Sequence, residues 1–167
     1  MNKKIVLIII LLFTTLVNAQ NNKRIWAKSF LNKKAPELVV AQWINKKPNT
    51  ENKFILLDFW ATWCAPCRRV IPKLNYFQER FSDDLIIIGL SDQNAEALEL
   101  FNSDIDYYHA TDPKKRLKNT YQVTNIPHSV LIDPDGIVRW EGYPLLQDHL
   151  LTAEVIQQII DDYYAKH

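Results

Sequence analysis

Cys64 and Cys67 stand three residues apart in Trp63-Cys64-Ala65-Pro66-Cys67, after an apolar run and at the start of a stretch with helical spacing. Two cysteines at i and i+3 in a first helical turn can close a disulfide on themselves. Cys64, at the helix N-terminus, meets free N–H groups and the positive end of the macrodipole, and both favour a thiolate. A fall in its pKa from about 8.5 to about 7 would raise the thiolate fraction at neutral pH from a few per cent to about half, for roughly 2 kcal/mol of electrostatics. Cys67, one turn deeper, is expected to stay protonated until needed. Cys64 would then attack a substrate disulfide, and Cys67 would resolve the mixed disulfide. The alternative uses of the pair are a structural disulfide and half of a zinc site. Zinc needs two further ligands, and His109, His128, His149 and His167 show no paired spacing. No metal or cofactor is expected.

Asp58 is the second candidate. It interrupts the otherwise apolar run Phe54 to Trp60, six residues before Cys64. A buried carboxylate without a cation is costly, so its pKa should rise towards neutrality. Placed behind Cys67, it could take that thiol's proton as the thiol attacks. Trp63 is expected to cover one side of the disulfide and offer an apolar contact surface. Arg68 and Arg69, in the first turn, could stabilise the thiolate.

The elements that must position these groups alternate. Leu38 to Ile44, Phe54 to Trp60, Leu85 to Leu90 and Tyr107 to Ala110 read as strands. Cys64 to Phe81 reads as a helix with Val70, Leu74, Phe77 and Phe81 on one face, and Pro72 is expected to kink it. Ala95 to Phe101 is a short helix, and another runs from Asp112-Pro113 to about Tyr121. Ser129 to Ile132 and Ile137 to Glu141 are strands joined by the turn Asp133-Pro134-Asp135-Gly136. Thr152 caps a last helix that buries Val155, Ile156, Ile159 and Ile160. The order implies one α/β domain with a mixed sheet.

Composition excludes several other functions. Three glycines, Gly89, Gly136 and Gly142, cannot build a phosphate-cradling loop. A net charge of +1, from 20 basic and 19 acidic residues, gives no general attraction to nucleic acid. Two cysteines are too few for a disulfide scaffold. The first nineteen residues have the layout of a signal peptide: Lys3 and Lys4, the apolar run Ile5 to Phe13, and Val17-Asn18-Ala19 as a small-residue cleavage site. Left uncleaved, that segment would anchor the chain to a membrane. Residues 20–34 are polar and read as a loose lead-in, and residues 35–167 as the domain. Export would take the thiols out of the reducing cytosol.

The stretch Ile55-Leu56-Leu57-Asp58-Phe59-Trp60-Ala61-Thr62-Trp63-Cys64-Ala65-Pro66-Cys67, together with Pro72 and Val123-Thr124-Asn125-Ile126-Pro127, resembles the thioredoxin superfamily. The resemblance covers most of the chain after residue 19. It implies a three-layer α/β/α sandwich and a cis Ile126–Pro127 bond facing the dithiol. Such a bond leaves the Ile126 backbone free to pair with an extended substrate. The 35 residues from Asp92 to Pro127 leave room for an inserted helix–strand unit, Ala95 to Phe101 plus Tyr107 to Ala110. With the signal segment and Ala35-Pro36-Glu37, the chain looks like the exported TlpA/ResA-type reductases. It departs from them in having Val70 where many carry a glutamate.

The implied activity is thiol–disulfide exchange on protein disulfides outside the cytosol, by a monomer recharged by a membrane thiol–disulfide donor. A disulfide-forming oxidant and a non-catalytic binding module are the alternatives. Ala65-Pro66 lacks the histidine of strongly oxidising relatives, which favours a reductase. His128, after the proline, would favour the thiolate if protonated near the sulfurs.

Overall fold

The computed structural model of the chain describes residues 26–101 and 103–167. Strands β1 (Gln42–Trp43), β2 (Phe54–Trp60), β3 (Leu85–Ser91), β4 (Tyr108–Thr111), β5 (His128–Ile132) and β6 (Val138–Gly142) form one sheet. Its order is β1-β4-β3-β2-β5-β6. The β2–β3 and β3–β4 pairs are parallel, and the β1–β4, β2–β5 and β5–β6 pairs are antiparallel, so the sheet is mixed as expected.

Helices α1 (Ala65–Arg80), α2 (Ala95–Glu99), α3 (Arg116–Thr120) and α4 (Ala153–Tyr164) complete the fold. Strand alternation sorts the side chains of β2 to two faces. Phe54, Leu56 and Trp60 pack with Val70, Ile71, Leu74 and Phe77 of α1 and with Ile156 and Ile160 of α4. Leu57 and Phe59 pack on the other side with Leu117 of α3 and with Tyr121. These two apolar faces make the three layers. Helix α1 runs through Pro72. Gly89 in β3 is needed because Trp60 lies over it: a Cβ there would come 2.9 Å from the indole Nε1.

Three sequence expectations need correction. Of Leu38 to Ile44, only Gln42–Trp43 pairs as a strand. Leu38, Val39 and Val40 instead pack against the core beside α3. The helix expected from Asp112 begins at Arg116, because the Asp112 carboxylate accepts the Arg116 N–H at 2.7 Å and Lys115 is left-handed at φ 56°.

The described part of the lead-in is not loose. Leu31 and Lys34 bridge to Val138 and Ile137. Ser29 Oγ and the Phe30 N–H donate to the two carboxylate oxygens of buried Glu141, the latter at 2.8 Å. Phe30 packs edge-on against Tyr121 at 5.0 Å. Residues 26–34 therefore belong to the packed unit, because the long edge of β6 and the α3 side of the sheet need a cover. Glu141→Ala leaves the Phe30 N–H without its acceptor and should cost about 1–3 kcal/mol in urea denaturation. An unchanged midpoint would show that the segment adds nothing to stability. The expected signal peptide, residues 1–19, lies outside the described residues, as does the lead-in up to residue 25. Among the described residues, no helix is long and apolar enough to cross a membrane.

Candidate active site

Strand β2 ends at Trp60, and the turn Ala61-Thr62-Trp63 leads to Cys64 at the head of α1. Gln93, just past β3, holds that turn. Its Oε1 accepts the Thr62 N–H at 2.7 Å, and its Nε2 donates to Thr62 Oγ1 at 3.0 Å. Cys64 is the N-cap of α1, and its Sγ accepts the Cys67 N–H at 3.2 Å. A sulfur in that position takes the place of the usual capping oxygen, where backbone donors favour negative charge. Pro66 lies in the first turn, where its missing N–H costs nothing.

Cys64 and Cys67 form a disulfide, with Cα atoms 5.2 Å apart. Cys64 retains 4% exposure and Cys67 only 2%. Both residues are buried, and of the two only Cys64 lines the groove described next. Arg68 and Arg69 are exposed. Trp63 is 68% exposed, and it lines one groove with Cys64.

The Ile126–Pro127 peptide bond is cis. The Ile126 carbonyl oxygen lies 3.8 Å from Cys64 Sγ, and Ile126 makes no backbone hydrogen bond to another described residue. Topology makes this approach possible, since β5 lies antiparallel beside β2 and its N-terminal end meets the end of β2 that leads into α1. The groove between the two segments has a volume of about 290 Å³.

Asp58 is 2% exposed and lies on the face of β2 that α1 covers. Burial pushes its carboxyl up to about 7, against a modest opposing effect of the Ser129 hydroxyl, which donates to Oδ1 at 2.5 Å. The raised pKa read from the apolar strand is thus present. Such a group exchanges protons near neutral pH.

His128 requires a correction. It is buried, its Nε2 has no hydrogen-bond partner among the described residues, and burial lowers its pKa to about 4. The imidazole is neutral at neutral pH, so the protonated ring that would favour the thiolate is not formed there. The ring is buried because β5 starts at His128 and sets it beside Phe59.

Two groups at the site escaped the sequence reading. Ser129 is a lone hydroxyl in an apolar strand, but its role appears only when the register sets it opposite Asp58. Lys118 had no sequence signal, being one of several lysines around α3. It pairs with Asp92 at 2.8 Å and lines the groove beside Cys64.

Comparison with known proteins agrees with this geometry. A family model described as Thioredoxin-like matches residues 52–138, just over half of the chain. The thiol-disulfide oxidoreductase ResA of Bacillus cereus is 33% identical over 118 residues, which is 66% of this chain and 68% of that one. The thioredoxin-like protein YneN of Bacillus subtilis is 31% identical over 96 residues, and the match spans 54% of this chain and 56% of YneN. A crystal structure of a thiol-disulfide isomerase from Corynebacterium glutamicum superposes with a TM-score of 0.63 at 18% identity, covering 77% of this chain and 94% of that one.

Proposed function

The chain belongs to the thioredoxin-like family and is equipped for thiol–disulfide exchange at Cys64 and Cys67; we propose that it is an exported oxidoreductase that reduces disulfides in other proteins. The observation that carries this reading is the disulfide at the N-cap of α1 with the Ile126 carbonyl 3.8 Å from Cys64 Sγ. That arrangement gives an attacking sulfur, a resolving sulfur and a backbone segment able to pair with an extended target.

In the reduced protein, the Cys64 thiolate attacks one sulfur of a target disulfide. A mixed disulfide forms and the first target thiolate leaves. The Cys67 thiol gives its proton to the Asp58 carboxylate and attacks Cys64 Sγ. The second target thiolate leaves, and the Cys64–Cys67 disulfide is the product. Two electrons from a membrane thiol–disulfide donor restore the dithiol. Trp63, Ile126 and Pro127 form the target-binding surface, and Ala65 and Pro66 tune the potential. His128, with its ring beside Phe59, contributes through packing rather than through charge.

Residues 1–19 act as the export signal, supported by Lys3, Lys4 and the apolar run after them. The protein works as a monomer. A potential measured in glutathione buffers tests the direction. It is expected nearer to about −270 mV, the thioredoxin value, than to about −120 mV, the value of a strong disulfide-forming oxidant. A potential at the oxidising end would turn the assignment to disulfide formation.

A further inference from the structure

We propose that Lys118 makes the groove beside the disulfide selective for targets that carry a carboxylate close to their reactive cysteine. This rests on the assignment of the groove as the target site and names the class of target it takes.

Trp63, Cys64 and Pro66 at the start of α1 line the groove together with Lys118, Thr124 and Ile126 from the segment that leads into β5. Among the described residues that line it, Lys118 alone carries a charge. Its Nζ is held 2.8 Å from Asp92 Oδ2, and the same oxygen lies 3.5 Å from Lys115 Nζ. Two ammonium groups thus share one carboxylate, and one positive charge is left over. Asp92 is held below the usual carboxylate range, because the hydrogen bond and charge of Lys118 and the charge of Lys115 outweigh its desolvation. The ionised Asp92 thus holds the Lys118 head group in place at the edge of the groove.

The Lys118 side chain is 26% exposed. It is less solvated than an ordinary surface lysine, and its contact with Asp92 restricts the head group. Little ordering entropy remains to be lost on binding, and of its three N–H donors only one is used by Asp92. An anion arriving in the groove meets a fixed cation with donors to spare. A target segment pairing with Ile126 is extended and advances about 3.3 Å per residue. A groove of about 290 Å³ holds only a few residues, so the carboxylate lies within about three positions of the target cysteine.

The test uses three synthetic peptides with one internal disulfide, identical except for Glu, Gln or Lys two residues from the first cysteine. Each is reduced by the full chain with dithiothreitol recycling at low salt, and kcat/KM is compared. The Glu peptide should exceed the Gln peptide about fivefold, with the Lys peptide slowest. In Lys118→Gln the Glu/Gln ratio should fall to about one, in Lys118→Arg it should survive, and in 0.5 M salt it should shrink in the parent. Equal rates for the three peptides overturn the proposal. So does a Lys118→Gln variant that slows all three alike with the ratio kept, which would place the lysine's effect on the thiolate. Failure of the parent to reduce any of the peptides or insulin would instead remove the oxidoreductase assignment, and this proposal with it.

Discussion

Cys64→Ser is expected to abolish reduction of insulin disulfides, leaving only the rate that dithiothreitol supports unaided. Cys67→Ser should behave differently. Its Cys64 can still attack, but nothing within the chain displaces the captured target, so a mixed disulfide accumulates and migrates as a linked species on a non-reducing gel. The distinction follows from the site's asymmetry. Cys64 caps α1 and opens on the groove, while Cys67 lies behind it with 2% exposure. Backbone donors around Cys64, including the Cys67 N–H, also stabilise its thiolate, so the free thiol in Cys67→Ser should titrate well below about 8.5. Equal residual activity in both variants, with no linked species in Cys67→Ser, would leave a thioredoxin-like binding module without turnover.

Asp58→Asn should change both stability and rate, and the pH dependence separates the two effects. Unfolded Asp58 loses its proton near 3.8, whereas the folded carboxyl keeps it up to about 7, because burial disfavours the charge. Between these values the folded state binds more protons, so stability falls as pH rises. His128 acts in the opposite sense. The unfolded imidazole takes up a proton near 6.5, the buried one only near 4, so stability falls as pH drops through that interval. With 1.36 kcal/mol for each pH unit between the paired values, Asp58 costs about 4 kcal/mol above pH 7 and His128 about 3 kcal/mol below pH 4.

These contributions run against each other from pH 4 to 6.5. Between them they add almost no slope to the parent's stability across that window. Asp58→Asn removes one of the two. The variant should be more stable than the parent by about 2–4 kcal/mol at pH 8 and nearly level with it at pH 4.5, and its own stability should fall on acidification below pH 6.5. Urea denaturation at three pH values reads this directly. A gain that is the same at every pH would mean that Asp58 is not held protonated by burial. With Asp58 as the proposed acceptor of the Cys67 proton, insulin reduction at pH 7 should slow by about a hundredfold or more. Unchanged turnover would take Asp58 out of the mechanism while leaving the stability result intact.

The parts of this protein legible in the sequence were those encoded within a few residues of one another. The i, i+3 cysteines, the helix that starts between them, the apolar strand broken by Asp58 and the hairpin turn at Gly136 all depend on spacing along the chain, and all of them stand in the fold. The raised pKa of Asp58 was also readable, because a strand apolar on both sides has to be covered and a covered carboxylate resists ionisation. The resemblance carried by Asn125-Ile126-Pro127 led to the expected cis bond.

Tertiary structure decided the partners. Ser129 donates to Asp58 across 71 residues of sequence, and Ser29 to Glu141 across 112. Each pair exists only because a strand register or a packed segment brings the two together. The same applies to His128, whose charge the sequence left open because burial cannot be read from one residue after a proline. It applies to Lys118 too, one of several lysines until α3 brings it to the groove that Trp63 and Cys64 line. Local conformation follows from neighbours in the chain, since a helical turn or a hairpin satisfies its own hydrogen bonds. Charge state and molecular recognition depend on desolvation and on distant partners, and those are settled only when the layers close on one another.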